Sequence, residues 1–286
     1  MRAFTLLKAV LFTWSLAGAA TAGAIGYLGP AGSWSHQACA DLFGQADLAP
    51  LPQAALFADY RTGKIDKACV PVTAASAGVT PYLDEVLDLP DVRIVAEYPK
   101  PLSYSLLANP GATLAGVTEV VAHPVALTTV EPWLDANLPK AARTPSASNG
   151  AAAQSVAAGK ALNQASLGPW IGAQIYGLTS LVDGIEEGPQ NVTRWWVLGR
   201  ETPAPTGNDK TSLLIDSSDA RLAEVLKAFD RAGVQILDIY ERPSKRSLDT
   251  HRYLVEVAGH AKVGALAAFL AAHREVRLLG SYPRKY

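Results

Sequence analysis

Apolar residues along this chain come in short runs that alternate between two periods, and the alternation predicts strands and helices in turn. Ala24 to Leu28 reads as a buried strand, broken by Gly29-Pro30-Ala31-Gly32-Ser33, and Gln37 to Phe43 as a helix. Ala54 to Thr62 has a helical pattern, Ala68 to Val72 that of a short strand, and Thr80 to Leu89 a helix with Tyr82, Val86 and Leu89 about one turn apart. Val92 to Glu97 and Ser103 to Ala108 alternate as strands with one polar face, and Val117 to Ala122 is a further strand. Leu127 to Leu138 is expected to be one helix, with Val130, Trp133 and Leu134 on one face. Helix Ala151 to Leu162, strand Ala165 to Gly168, helix Trp170 to Tyr176 and a strand or loop from Ser180 to Ile185 follow. A Gly188-Pro189 turn then leads through Asn191-Val192-Thr193-Arg194 into a strand, Trp195 to Leu198, because aromatic and β-branched residues suit a pleated, half-buried surface.

Strands alternating with helices predict mostly parallel sheets faced by helices, and such sheets bind ligands beyond the carboxyl ends of their strands. Gly29 to Gly32, Thr73-Ala74-Ala75, His123-Pro124 and Asn191 to Arg194 all lie at strand or loop ends, so they are candidates to converge on one cleft. The Gly-rich turn before the first helix offers free N–H groups to an anion. It lacks the Lys and the spacing of a P-loop.

Glu201 to Asn208 is a Pro- and Gly-rich linker without periodicity. Beyond it the order is strand Thr211 to Ile215, helix Ala220 to Ala232, strands Gln235 to Tyr240 and Arg252 to Val257, helix Val263 to His273 and strand Val276 to Ser281. That βαββαβ order is a ferredoxin-like module.

Length and composition narrow the picture. A chain of 286 residues suggests about two domains, and 49% apolar with 18% charged residues is enough to pack them. The formal charge of −1 and the absence of a basic stripe argue against nucleic acid. Five histidines and two cysteines show no metal-ligand spacing. Cys39 and Cys69 fit either a disulfide, if the protein is exported, or two buried small hydrophobes. Arg2 and Lys8 precede an apolar run, Ala9 to Ala19, and Ala20-Thr21-Ala22 supplies small residues at a cleavage site. Residues 1–22 are therefore expected to be a signal peptide, too short in its apolar part for a membrane span, and the mature protein a soluble periplasmic or secreted one with no membrane contact.

The chain resembles the prephenate dehydratase family from its first strand to its C-terminus. Tyr27-Leu28-Gly29-Pro30-Ala31-Gly32-Ser33-Trp34-Ser35 is similar to that family's opening Leu-Gly-Pro-x-Gly-[ST]-aromatic-[ST] motif. Tyr176-Gly177-Leu178 and Asn191-Val192-Thr193-Arg194-Trp195 are similar to its Tyr-Gly-Leu and Asn-x-Thr-Arg-Phe motifs. Lys210-Thr211-Ser212-Leu213-Leu214 with Arg242-Pro243 resembles an ACT regulatory domain, and Gly280-Ser281-Tyr282-Pro283 the closing Gly-x-[YF]-Pro. The resemblance implies a two-lobed, mostly parallel α/β catalytic domain of the periplasmic-binding-protein plan at 23–200, a linker at 201–208 and a ferredoxin-like ACT domain at 209–286. It implies cofactor-free dehydration and decarboxylation of prephenate, in an enzyme that is a homodimer or tetramer. Thr193 inherits the role of proton donor. Ser35, Thr73, His123, Ser148, Asn149, Asn191 and Arg194 inherit substrate binding, with Arg194 lending positive charge near a carboxylate.

Several positions depart from the family pattern. Pro71-Val72-Thr73-Ala74-Ala75-Ser76-Ala77-Gly78 stands where the family has Pro-x-Glu-Asn-[ST]-x-x-Gly, so a carboxylate and an amide are gone. Ala122-His123-Pro124-Val125 replaces Ser-His-Pro-Gln, and Ser148-Asn149-Gly150 replaces Ser-Thr-[AS]. Lost donors weaken the hold on a dicarboxylate, and Ser35, Ser103, Ser105, Thr128 and Thr129 are candidate substitutes. The alternative reading is a catalytically impaired relative that binds a small aromatic or carboxylate ligand. In the C-terminal module Ala220-Arg221-Leu222 replaces a Gly-Ala-Leu turn, and Tyr240-Glu241-Arg242-Pro243 replaces Glu-Ser-Arg-Pro. Leu222, Arg242 and Pro243 are the matching effector positions, with ordinary phenylalanine binding disfavoured because a glycine that admits a ligand to the backbone is lost.

Overall fold

The computed structural model describes residues 24–45, 47–186 and 191–286. The expected signal peptide and the Gly188-Pro189 turn lie outside the described residues.

The first lobe is built from β1 (Ile25–Leu28), α1 (Trp34–Phe43), β2 (Leu48–Leu51), α2 (Gln53–Thr62), β3 (Lys67–Ala74), β4 (Gly78–Val79), α3 (Tyr82–Asp88) and β5 (Ile94–Pro101). The second lobe runs through β6 (Ser105–Ala108), β7 (Glu119–Ala122), α4 (Pro124–Thr129), α5 (Glu131–Asn137), β8 (Ala142–Pro145), α6 (Asn149–Gly159), β9 (Gln164–Gly168), α7 (Ile171–Tyr176) and β10 (Thr179–Asp183). The chain then returns to the first lobe as β11 (Val192–Leu198). The first sheet has the order β2-β1-β3-β11-β5, parallel from β2 to β3 and antiparallel on both sides of β11. The second has the order β10-β6-β9-β7-β8, again parallel across three strands.

Two strands escape the sequence pattern. β2 (Leu-Ala-Pro-Leu) and β8 (Ala-Arg-Thr-Pro) contain proline and little alternation, and each lies at a sheet edge, where a missing N–H costs no ladder bond. The single helix expected over Leu127 to Leu138 is two, α4 and α5, because Pro132 in the first turn of α5 cannot continue a preceding helix. The polar face expected of Ser103 to Ala108 is solvated only at Ser103: all of β6 is buried, Ser105 included.

After the linker come β12 (Asp209–Ser218), α8 (Asp219–Arg231), β13 (Ile236–Pro243), β14 (Thr250–Ala258), α9 (Gly264–Ala272) and β15 (Arg277–Pro283). Their antiparallel sheet has the order β13-β14-β12-β15, the ferredoxin-like arrangement. One face carries Leu213, Ile215, Tyr253 and Val255 under the two helices. The other carries Leu214, Leu254, Leu279 and Tyr282 into the core of the first lobe. Both faces are therefore dry, which is why β12 is buried over nearly its whole length. The docking is close. At Gly280 a Cβ atom would overlap the Ile94 carbonyl of β5.

Cys39 of α1 and Cys69 of β3 form a disulfide, with Cα atoms 6.3 Å apart. Both are fully buried beside Tyr27, Val95 and Val197.

Candidate active site

Between the lobes, beyond the carboxyl ends of β1, β3, β7 and β8, lies a cavity of about 440 Å³. Ser35, His123, Ser148, Asn149, Asn191 and Thr193 line it, so six of the eight catalytic and substrate-binding positions expected from the sequence meet there.

The cavity floor depends on two helix N-termini brought together. Ser33 caps α1 by accepting the His36 N–H, and its own hydroxyl donates to the Leu28 carbonyl at 3.2 Å. Ser148 caps α6 by accepting the Ala151 N–H at 3.0 Å. Gly150 makes their approach possible: a Cβ there would sit 2.7 Å from the Ala31 carbonyl and 3.0 Å from the Ser33 nitrogen. The Tyr176 hydroxyl donates to the same Ala31 carbonyl at 2.8 Å, and Gly32 N–H donates to His36 Nδ1 at 3.1 Å. Burial lowers the His36 pKa, which keeps this ring a neutral acceptor. The loop after β1 is thus held from three sides, with the first residues of α1 and α6 lining the cavity. Helix N-termini so placed attract anions.

The side chains divide into scaffold and reagent. Asn149 Oδ1 accepts the His123 N–H at 3.0 Å, which leaves the amide nitrogen for a ligand. His123 Nδ1 accepts the Val125 N–H at 3.3 Å and so caps α4. Ser35 Oγ accepts from Trp195 Nε1 at 3.2 Å. The Thr193 hydroxyl bonds to no other described residue, although the residue is only 7% exposed. Asn191 Oδ1 is buried and equally unpartnered. Trp34, with a buried and unpartnered Nε1, and Tyr104 form an aromatic wall, their rings 5.4 Å apart and edge to face. Burial pushes the Tyr104 phenol up to about 12, so it stays protonated as a donor. Among the described residues no lysine, arginine, aspartate or glutamate lines the cavity.

Two expected binding residues are elsewhere. Arg194 and Thr73 face the reverse side of the first sheet, because neighbours along a strand point to opposite faces. Thr193 and Trp195 look into the cleft, whereas Arg194 and Trp196 look toward the C-terminal domain. Arg194 Nε donates to Thr73 Oγ1 at 3.1 Å, and Nη1 donates to Glu256 of β14 at 2.7 and 2.9 Å and to Glu97 of β5 at 3.4 Å. Burial opposes the charge on Arg194, but Glu256, Tyr282 and Tyr286 together outweigh it and raise the pKa, so the side chain is a fixed cation. Lys210 completes the cluster at 3.0 Å from Glu97. Arg194 therefore serves the domain junction and not a substrate carboxylate.

The substitutes Ser103, Ser105, Thr128 and Thr129 do not line the cavity either, and Thr129 donates to the Val125 carbonyl. The effector positions have separate surroundings. Leu222 packs on the core of the ferredoxin-like domain. Arg242 grips Asp84 of α3 with two bonds of 2.7 Å, and Pro243 is exposed at the end of β13. Trp34 and Tyr104 at the cavity and Tyr176 behind its loop are further site residues beyond those expected from the sequence. Their signals were an aromatic just after a helix cap, the alternation of β6 and a Tyr-Gly-Leu helix end.

A family profile described as prephenate dehydratase matches residues 25–203. A prephenate dehydratase from Mycolicibacterium gilvum is 35% identical over 282 residues, spanning 91% of this chain and 90% of its own. The crystal structure of prephenate dehydratase from Arthrobacter aurescens in complex with L-Phe is similar with a TM-score of 0.80 at 30% identity, over 91% of this chain and 90% of that one. A protein described as a novel type of quorum-quenching acylase shares the fold, with a TM-score of 0.82 at 24% identity over 91% of this chain and 98% of that one.

Proposed function

This chain belongs to the prephenate dehydratase family, and we propose that it carries out that reaction outside the cytoplasm, with Thr193 as the proton donor. The reaction converts prephenate to phenylpyruvate, water and carbon dioxide, a lyase step of phenylalanine biosynthesis. The C1–carboxylate bond breaks and its electron pair enters the ring, the C4–oxygen bond breaks, and the departing oxygen takes a proton. The substrate is a dianion and phenylpyruvate a monoanion, so one proton is consumed overall. Aromatisation drives the step, and the protein's tasks are orientation and protonation of the leaving group.

The observation that carries this reading is a hydroxyl with no partner among the described residues, Thr193, in a cleft lined by the N-terminal residues of α1 and α6. The α1 and α6 N-termini supply the positive potential that no side-chain cation among the described residues brings to the cleft. Asn191 Oδ1, an unpartnered acceptor in the same cleft, complements the substrate's hydroxyl. Trp34 and Tyr104 complement its ring. The supporting observation for export is the buried Cys39–Cys69 pairing, which suits an oxidising compartment, together with the leader-like residues 1–22. The C-terminal module is read as an ACT-type domain that mediates a homodimer or tetramer: β13 is a sheet edge and exposes Ile239.

The test is to incubate the purified protein with prephenate and follow phenylpyruvate. Thr193→Ala is expected to lower kcat by roughly 10² to 10⁴ with little change in KM. Full activity in that variant would remove Thr193 from the mechanism, and no turnover by the unaltered protein would reject the reaction. Sequencing the N-terminus of protein recovered from the periplasm or medium tests export, with Gly23 expected first.

A further inference from the structure

A second cavity, about 390 Å³, lies on the reverse face of β11, at the junction with the C-terminal domain. Thr73, Ala75 and Pro99 wall it from the first lobe, and Tyr240 and Tyr286 from the other side. Arg194 reaches it with donors to spare. A guanidinium has five N–H groups. Nε–H goes to Thr73, and Nη1 is taken by Glu256 and Glu97. Nη2 is buried and has no partner among the described residues. Nε and Nη2 form the edge of the guanidinium that grips a carboxylate through two parallel bonds. Because Nε points to Thr73 and Thr73 lines the cavity, that edge faces the cavity.

The surroundings define the ligand. The Tyr240 and Tyr286 rings stand 5.9 and 5.7 Å from the Arg194 Cζ, and neither phenol bonds to another described residue. The walls are otherwise apolar, which suits a flat hydrocarbon body. Arg194 and Lys210 balance Glu97 and Glu256, so the cluster is neutral and has no surplus cation for a doubly charged ligand. Tyr286 is 51% exposed, and a single carboxylate entering beside it keeps part of its hydration.

We propose that this cavity is a second ligand site for a small monocarboxylate with a flat apolar body, its carboxylate on the Nε–Nη2 edge of Arg194 and its body against Tyr240 and Tyr286. Such a ligand takes the Nε–H from Thr73 and leaves Nη1 with Glu256, and because Arg194 is the residue next to Thr193 its occupancy bears on both the junction and the cleft. The site rests on the cavity's own geometry and is independent of the reaction assigned to the cleft.

Benzoate is a suitable probe and benzamide its uncharged counterpart, titrated into the full chain with ligand-observed NMR. Benzoate is expected to bind saturably and benzamide at least about tenfold more weakly. Ala75→Trp fills the cavity from an exposed position and is expected to abolish benzoate binding. Arg194→Lys keeps the charge, removes the fork and is expected to do the same. Asn149→Ala, in the cleft, is expected to leave it unchanged. Thermal unfolding of each variant separates lost binding from lost fold, and Ala75→Trp decides the matter if Arg194→Lys does not fold. No saturable binding, equal binding of benzamide, survival in Ala75→Trp or loss in Asn149→Ala would each overturn the proposal.

Discussion

Thr193 and Arg194 are neighbours in sequence with separate duties on two sides of one sheet. Thr193 keeps in the cleft a hydroxyl that bonds to no other described residue, whereas Arg194 belongs to a cluster of four charged groups that are at most 3% exposed. Removing one member of such a cluster leaves a buried charge without its partner. Glu256→Gln is therefore expected to destabilise the protein by about 3–5 kcal/mol, read as a lower urea midpoint. Substrate binding is expected to suffer less, because Glu256 is on the far side of β11. The pairing of Thr193 with Arg194 in one pocket was the natural reading of a strand placed from Trp195 onward. The strand begins at Val192, and its two-residue period separates the pair. The information was in the sequence as alternation, but the boundary hid it.

At the scale of elements, the cleft is defined by where helices start. The Gly-rich turn before α1 was legible as an anion-binding end, and Ser148 as a cap of α6. Their meeting was not, because it depends on Gly150 packing against a loop more than a hundred residues earlier. Gly150→Ala is expected to force the two N-termini apart, costing about 1–3 kcal/mol of stability and a larger share of kcat/KM. Circular dichroism melting and initial-rate kinetics would measure the two. The helix α3 shows the same dependence on distant partners. Arg242 bonds to Asp84, Arg252 and Arg277 bind carbonyls at the helix end, and Thr80 to Tyr82 at its start border the cleft. The Arg242 bonds hold the Asp84 carboxyl below its ordinary pKa. Its stabilising contribution is full above the unfolded value of about 3.9 and is lost as pH falls through the lower folded value. Asp84→Asn is accordingly expected to flatten the acid limb of the stability–pH curve while lowering the plateau.

For the whole molecule, the division into a two-lobed α/β unit and a ferredoxin-like module could be read from the order of strands and helices. How the two dock could not. The buried polar residues that join them, Lys210, Ser212 and Glu256, are spaced along strands whose other face carries an ordinary core, and only their assembled partners explain them. The lobe that receives this module is cross-linked within itself. The Cys39–Cys69 bond spans 30 residues and ties α1, whose N-terminus opens on the cleft, to β3, the strand beside Thr193. Closing a loop of that length removes freedom mainly from the unfolded chain, worth roughly 3–4 kcal/mol in the chain-entropy account. Both sulfurs sit in a dry cluster with Tyr27, so a reductant has to await opening of the lobe. Intact-mass analysis after alkylation under native conditions is expected to show no free thiol in the purified protein. Unfolding with a reductant present is expected to occur at a lower denaturant midpoint than without it. A Cys39→Ala, Cys69→Ala protein should match the reduced midpoint and no longer respond to the reductant. Equal midpoints for all three would show that the lobe does not rely on the cross-link.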